Sequence, residues 1–248
     1  MYLNLATSFC IALALNGWGR KVIHGQNDSK AVKICAVAGK NVYQSSNSST
    51  FFYMAGMAID ADGSPRAYHK DDSKALDYLH NGGRPGDWWA LVTVNGKPYI
   101  QKADDPYPGY YMSMTSLEDT DKKETDPERY VNAETIPYIV LPQKVEEAGG
   151  AKLGDFAVVL NKANGKLCYA IFADGGPPGK LGEGSIALAK ALDIDANPKD
   201  GGVPDNIIYL VFPGSGNKQK RTLEEINTEG GKLFAAWGGK EMLLSFYK

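Results

Sequence analysis

Charge of one sign, cysteine and histidine are all scarce in this 248-residue chain, and each shortage removes a class of function. With 27 Lys and Arg against 29 Asp and Glu, the formal net charge is -2. A chain without a basic surplus has little to set against a phosphate backbone, so nucleic acid is not an expected partner. The apolar run Phe9 to Leu15 falls short of the roughly 20 residues that a membrane-spanning helix needs, and no membrane role is expected. That run also has no basic residue close before it, since Arg20 follows it. An ordered helix and the remnant of an export segment both stay open for residues 1–19. Cys10, Cys35 and Cys168 are too few for a disulfide scaffold, and Cys10 with Cys35 is the one pairing that would staple the N-terminal segment. His24, His69 and His80 have no second His or Cys three or four residues away, so neither a metal site nor a cofactor is expected.

Turn chemistry, by contrast, is plentiful. The 28 Gly and 13 Pro cut the chain into short pieces, and 14 Tyr favour pleated surfaces. Ala31 to Val37 alternates, and Phe51 to Ile59 is an apolar run that stops at the Asp-Gly turn signal Asp62-Gly63. Asn95-Gly96 between Ala90 to Val94 and Pro98 to Gln101 predicts a hairpin, and Asn164-Gly165 between Phe156 to Leu160 and Leu167 to Phe172 predicts another. Ile136 to Leu141, Ile207 to Phe212 and Glu241 to Tyr247 read as further strands. Helical pattern is confined to Ser73 to His80, Ser185 to Leu192, and Leu223 to Asn227 with Thr222 as its N-cap. There is no internal repeat and no heptad. Many short strands with a few helices predict a mainly β chain of the α+β kind, a β-barrel with helical decoration in one domain.

The segment Ile171 to Leu192 carries the most chemistry. A strand runs into Asp174, a loop of Gly175, Gly176, Pro177, Pro178 and Gly179 follows, and Glu183 stands between Gly182 and Gly184 ahead of a helix. Two carboxylates at the mouth of one turn-back, with glycines leaving room between them, suit the two sides of a bound sugar. The bland alternative is a turn aspartate and a helix-start glutamate. A phosphate loop fails at both ends, because Asp174 stands where its first Gly belongs and Leu181 where Ser or Thr would hold magnesium. The nucleophile elbow G-x-S-x-G is absent.

Phe172-Ala173-Asp174 followed by Leu181-Gly182-Glu183-Gly184-Ser185-Ile186 resembles the signature of the fungal-type chitosanases, glycoside hydrolase family 75. Gly56 to Tyr68 with its D-x-D-G core, Gly109 to Leu117 (GYYMSMTSL) and Tyr130 to Pro142 resemble the same family in the same order. The resemblance implies a double-psi β-barrel-like catalytic domain over residues 51–248 behind an N-terminal extension of residues 1–50. It implies endo-cleavage of β-1,4-glucosamine linkages in chitosan by inversion, with Asp174 and Glu183 as the two essential carboxylates. The setting of Glu183, between glycines and beside an apolar helix start, assigns it as general acid and Asp174 as general base, and the reverse order stays open. Asp60, Asp62, Tyr110, Tyr111, Ser113 and Thr115 are the implied substrate-binding residues, and Asp60 and Asp62 also suit a plain turn. One of Trp88 and Trp89 is expected to face a cleft, and Asp104, Asp105 and Glu118 are further acids for a cationic polymer. The expected partner is a polysaccharide, the expected state a monomer, and the expected location secreted or periplasmic. Two alternatives remain: a peptidoglycan-directed hydrolase or lytic transglycosylase on the same barrel, and a non-catalytic carbohydrate-binding module.

Overall fold

The computed structural model describes residues 30–247; the expectations for residues 1–19 and for Cys10 fall outside them. Ala31–Val37 (β1) and Lys40–Ser45 (β2) form an antiparallel hairpin whose turn residues Ala38 and Gly39 both take positive φ. Phe51–Asp60 (β3) follows, buried along almost its whole length because it pairs on both edges. Four two-residue strands, Tyr68–His69 (β4), Thr93–Val94 (β5), Lys97–Pro98 (β6) and Tyr110–Tyr111 (β7), make two small ladders, β4 with β7 and β5 with β6. The remaining elements are Tyr138–Pro142 (β8), Gln143–Gly149 (α1), Phe156–Asn161 (β9), Leu167–Gly176 (β10), Glu183–Ser185 (β11), Ile186–Ala191 (α2), Val203–Val211 (β12), Leu223–Trp237 (α3) and Gly239–Ser245 (α4).

Hydrogen bonding runs β3, β11, β8, β10, β9, β12 and then back from β12 to β3, so six strands close on themselves as a barrel. Closure removes the open edges that would otherwise invite aggregation. Two pairs, β10 with β8 and β11 with β3, are parallel; the other barrel pairs are antiparallel. The β1–β2 hairpin pairs with the first half of β3, so part of the N-terminal segment is built into the same sheet. Phe51, Phe52, Tyr53, Phe172 and Tyr209 are fully buried, and Tyr53 stacks on Tyr209 at 4.7 Å. Among the described residues no helix is long and apolar enough to cross a membrane.

Both Asn-Gly hairpins are present, although the first is only two residues deep on each side. Three elements depart from expectation. Ser73 to His80 is turns with a single 3-10 turn at Leu79–Asn81, because side chains and a distant lysine claim its backbone. Asp71 accepts from Ser73 N, Asp77 from Tyr78 N, and Lys199 Nζ donates to the carbonyls of Asp72 and Ala75. Glu241 to Tyr247 is mostly helix instead of strand, with Leu243 buried and Phe246 and Tyr247 packed on Phe52 at 4.4 and 5.9 Å. The Leu223 helix, capped at Thr222 by a reciprocal bond with Glu225, continues through Gly230-Gly231 to Trp237. Those glycines serve close packing: a Cβ on Gly230 would lie 3.1 Å from Cβ of Tyr169.

Candidate active site

Strand β10 carries Asp174, and a bulge decides where it points. Phe172 pairs with Ile139 but Asp174 with Val140, so Ala173 is the extra residue that turns the following side chain. The carbonyl of Ala173 accepts from Leu117 N at 2.8 Å, which brings Ser116 against Asp174. Asp174 Oδ1 then accepts from Ser116 Oγ at 2.6 Å, Ser116 N at 3.0 Å and its neighbour Gly175 N at 2.8 Å. Burial nevertheless outweighs these bonds and pushes the Asp174 carboxyl up to about 6, with the charge of Glu183 adding in the same direction.

Glu183 opens β11. Gly184 pairs with Ile139 in antiparallel register, which sets Glu183 level with Val140 on the other edge of β8. Asp174, Val140 and Glu183 therefore lie in one row across three strands, side chains to the same face. Parallel pairing extends the row to Ala58 on β3, and all four residues line one cleft of about 750 Å³. Gly182 makes the entry to β11 possible: its φ is +98°, and a Cβ there would sit 2.3 Å from the carbonyl oxygen of Gly56. Glu183 Oε1 accepts from Lys180 Nζ at 2.7 Å, while Oε2 lies over Gly176.

Asp60 and Asp62 form the floor on the β3 side. Asp60 Oδ1 accepts from Asp62 N at 2.8 Å, and Asp62 Oδ1 accepts from Tyr68 Oη at 2.7 Å. Tyr138 Oη donates to the Asp62 carbonyl at 3.0 Å, and Gly63, at φ +76°, donates its N–H to Ser113 Oγ at 3.0 Å. Burial, then the negative charge of Asp174 and Glu183, holds the Asp60 carboxyl far above the usual carboxylate range. Burial and the charge of Asp60 do the same to Asp62. Oxygen atoms of Asp60, Asp62 and Asp174 lie within 4.8 Å of one another, a cluster that counting histidines does not reveal.

Asp60, Asp62, Asp174 and Glu183 thus meet in one cleft. Ser113 stands behind it, its Oγ 3.3 Å from Asp62 Oδ1. Thr115 donates to the Leu117 carbonyl and accepts from Val131 N, fixing the loop that carries Ser116. Tyr110 and Tyr111 lie outside the cleft lining, Tyr110 bonded to the Lys74 carbonyl and in ring contact with His69, Tyr111 against the core. Asp104 and Asp105 lie outside it too, as does Glu118, which pairs with Arg129 at 2.8 Å. Of the two tryptophans, Trp89 lines the cleft and Trp88 packs on the core. Sequence reasoning missed Ser116, although it follows Ser113 and Thr115 in the same motif, and missed Tyr68, Tyr138 and Val140.

The sequence profile described as fungal chitosanase of glycosyl hydrolase group 75 matches residues 57–236, from β3 to the last turn of α3. The chain belongs to this family. The match encloses Asp60, Asp62, Asp174 and Glu183 in the cleft of this family 75 member. A curated relative, endo-chitosanase C of Aspergillus oryzae, is 34% identical over 88 residues, which is 34% of this chain and 23% of the relative. The matched stretch therefore spans about a quarter of that protein's length.

Proposed function

We propose that this protein is an endo-acting glycoside hydrolase that cleaves β-1,4-glucosamine linkages of chitosan with inversion. One observation carries the reading: Asp174 and Glu183 stand level on the two strands that flank β8. Two strand spacings make about 9–10 Å between their backbones. Side chains leaning over Val140 from that distance suit the roughly 6.5–9.5 Å between carboxyls at which a water fits opposite the leaving group. Asp174, buried and raised to about 6, is the general base that takes a proton from this water. Glu183 gives its proton to the glycosidic oxygen as the anomeric C–O bond breaks and the water oxygen bonds the anomeric carbon from the opposite face. Asp60 and Asp62 receive the amines of the polymer, which are cationic at the pH where chitosan dissolves; an ammonium beside these carboxyls draws their raised pKa values back down, so that they bind it as carboxylates.

The family supports the substrate class, and a second carboxylate in the cleft supports hydrolysis over transglycosylation, which needs one acid. The mixed six-stranded closure with two parallel pairs supports a double-psi description of the barrel. A long polysaccharide does not cross a membrane unaided, which supports a secreted or periplasmic location.

Release of reducing ends from soluble chitosan, compared with cellulose and peptidoglycan, tests the substrate. Early proton NMR tests the mechanism: inversion of a β linkage gives α-anomer first, and β-anomer first refutes it. Asp174→Asn and Glu183→Gln each lower the rate by at least about 10²-fold. Wild-type turnover in either variant removes that residue from the pair.

A further inference from the structure

Trp89 is 55% exposed, more than any other large apolar side chain but Val32 among the described residues, and it lines the cleft. Solvent does not leave it free to rotate. Its Nε1–H donates to the Asn81 carbonyl at 2.8 Å, and Asn81 is held in turn by its side-chain amide on buried Asp77 at 2.9 Å. Gly82, beside Asn81, accepts from Ala90 N, so the residue after Trp89 is tied down as well. Gly82 also packs on the Tyr68 ring, whose hydroxyl donates to Asp62. The indole is therefore fixed at the Asp62 end of the cleft. A large apolar face held open to water has no value for the empty fold, since burying it would stabilise the protein.

We propose that Trp89 is a stacking platform for one glucosamine unit of the bound polymer, on the Asp62 side of the scissile bond. The C–H face of a pyranose lies flat on the indole, and an ammonium at the ring edge gains from the negative π-face. Binding energy collected there is remote from the reacting atoms and secures the chain while Asp174 and Glu183 act. The inference rests on the chitosan reading for the identity of the sugar but not for the existence of the platform.

The test is calorimetric titration of the glucosamine hexamer into Asp174→Asn protein, with and without Trp89→Ala, alongside chitin hexamer and cellohexaose. Trp89→Ala weakens glucosamine hexamer binding by at least about tenfold. Trp89→Phe, which keeps an apolar face without the Nε1 bond, loses less than Trp89→Ala. In otherwise wild-type protein, Trp89→Ala raises KM for chitosan about tenfold while kcat stays within about threefold. A Kd for the glucosamine hexamer that is the same with and without Trp89 overturns the platform and leaves the chitosanase reading standing. If the parent binds only another hexasaccharide, and through Trp89, the platform stands and the chitosan reading falls. A parent that binds none of the three overturns both.

Discussion

Replacing Ser116 with alanine isolates the bond that opposes burial at Asp174. The Ser116 hydroxyl sits 2.6 Å from Asp174 Oδ1, a charge-assisted bond made to the ionised carboxylate. Such a bond favours the charged form by about 1.5–3 kcal/mol, and 1.36 kcal/mol is one pKa unit, so its loss raises the carboxyl by about 1–2 units. The backbone donors Ser116 N and Gly175 N remain in Ser116→Ala, which sets the expected rise at the lower end, about 1 unit above the value near 6. Gly175 N keeps Asp174 Oδ1 as its acceptor, so no buried donor is orphaned.

A general base works only when ionised. The acidic limb of kcat/KM for the wild type accordingly falls as pH drops through about 6, and in Ser116→Ala the limb moves to higher pH by about one unit. Glucosamine hexamer is the substrate, because it stays soluble over the whole pH range. At pH 5 the variant is about tenfold slower than wild type, and well above pH 7 the two converge. An unmoved limb refutes the claim that Ser116 tunes Asp174. A shift confined to the alkaline limb gives Asp174 the acid role instead.

Lys180 places a cation beside Glu183 in a cleft read as receiving a polycation. At about 6 Å in a water-like dielectric one unit charge is worth roughly 0.7 kcal/mol, so Lys180→Met lowers KM for chitosan about threefold at low salt, with the gain lost at high salt. Asp60 and Asp62 have folded pKa values raised above their unfolded ones, so their stabilising contribution is complete below the unfolded pKa and is lost as pH rises through the folded one. Wild-type Tm therefore falls from pH 5 to pH 8 in scanning calorimetry, and Asp60→Asn and Asp62→Asn each raise Tm at pH 7 by about 2–4 °C or more; an unchanged Tm denies that these acids are strained. In α3, Gly231→Ala stabilises by up to about 1 kcal/mol through helix propensity, because its Cβ meets only the far end of the Tyr169 ring at 3.6 Å. Gly230→Ala costs about 1–3 kcal/mol against Tyr169 Cβ at 3.1 Å, and equal effects in denaturant melts contradict the packing argument.

What the sequence made legible is local. Asp174, the glycine-rich return and Glu183 stand within ten residues or so, and the Asn-Gly hairpins announce their own turns. Thr222 with Glu225 likewise marks the start of α3. What failed depends on partners far along the chain. The 73–80 segment lost its helix in part to a lysine at position 199, and α4 reads as a strand until Phe52 supplies the surface for Phe246. Gly230-Gly231 looks like a stop until Tyr169 is seen against it. Ser116 meets Asp174 across 58 residues, and no spacing rule reaches that far.

The same distance explains why the cleft needs a closed barrel. Asp60, Asp62 and Asp174, whose carboxyls are pushed up by burial and by neighbouring negative charge, Glu183 included, repel one another, and an open sheet would relax by letting the strands that carry them drift apart. Here Asp60 is on β3, Glu183 on β11 and Asp174 on β10, and each of these strands is paired on both sides within a ring that closes through β12. Separating any two acids means breaking ladder bonds in a fully buried backbone, where each unsatisfied group costs about 1–3 kcal/mol. Repulsion is held in place by closure, and on the proposed chitosan reading a cationic sugar entering the cleft relieves it. On that reading, the acids that make the empty fold less stable at neutral pH are the ones that hold the sugar.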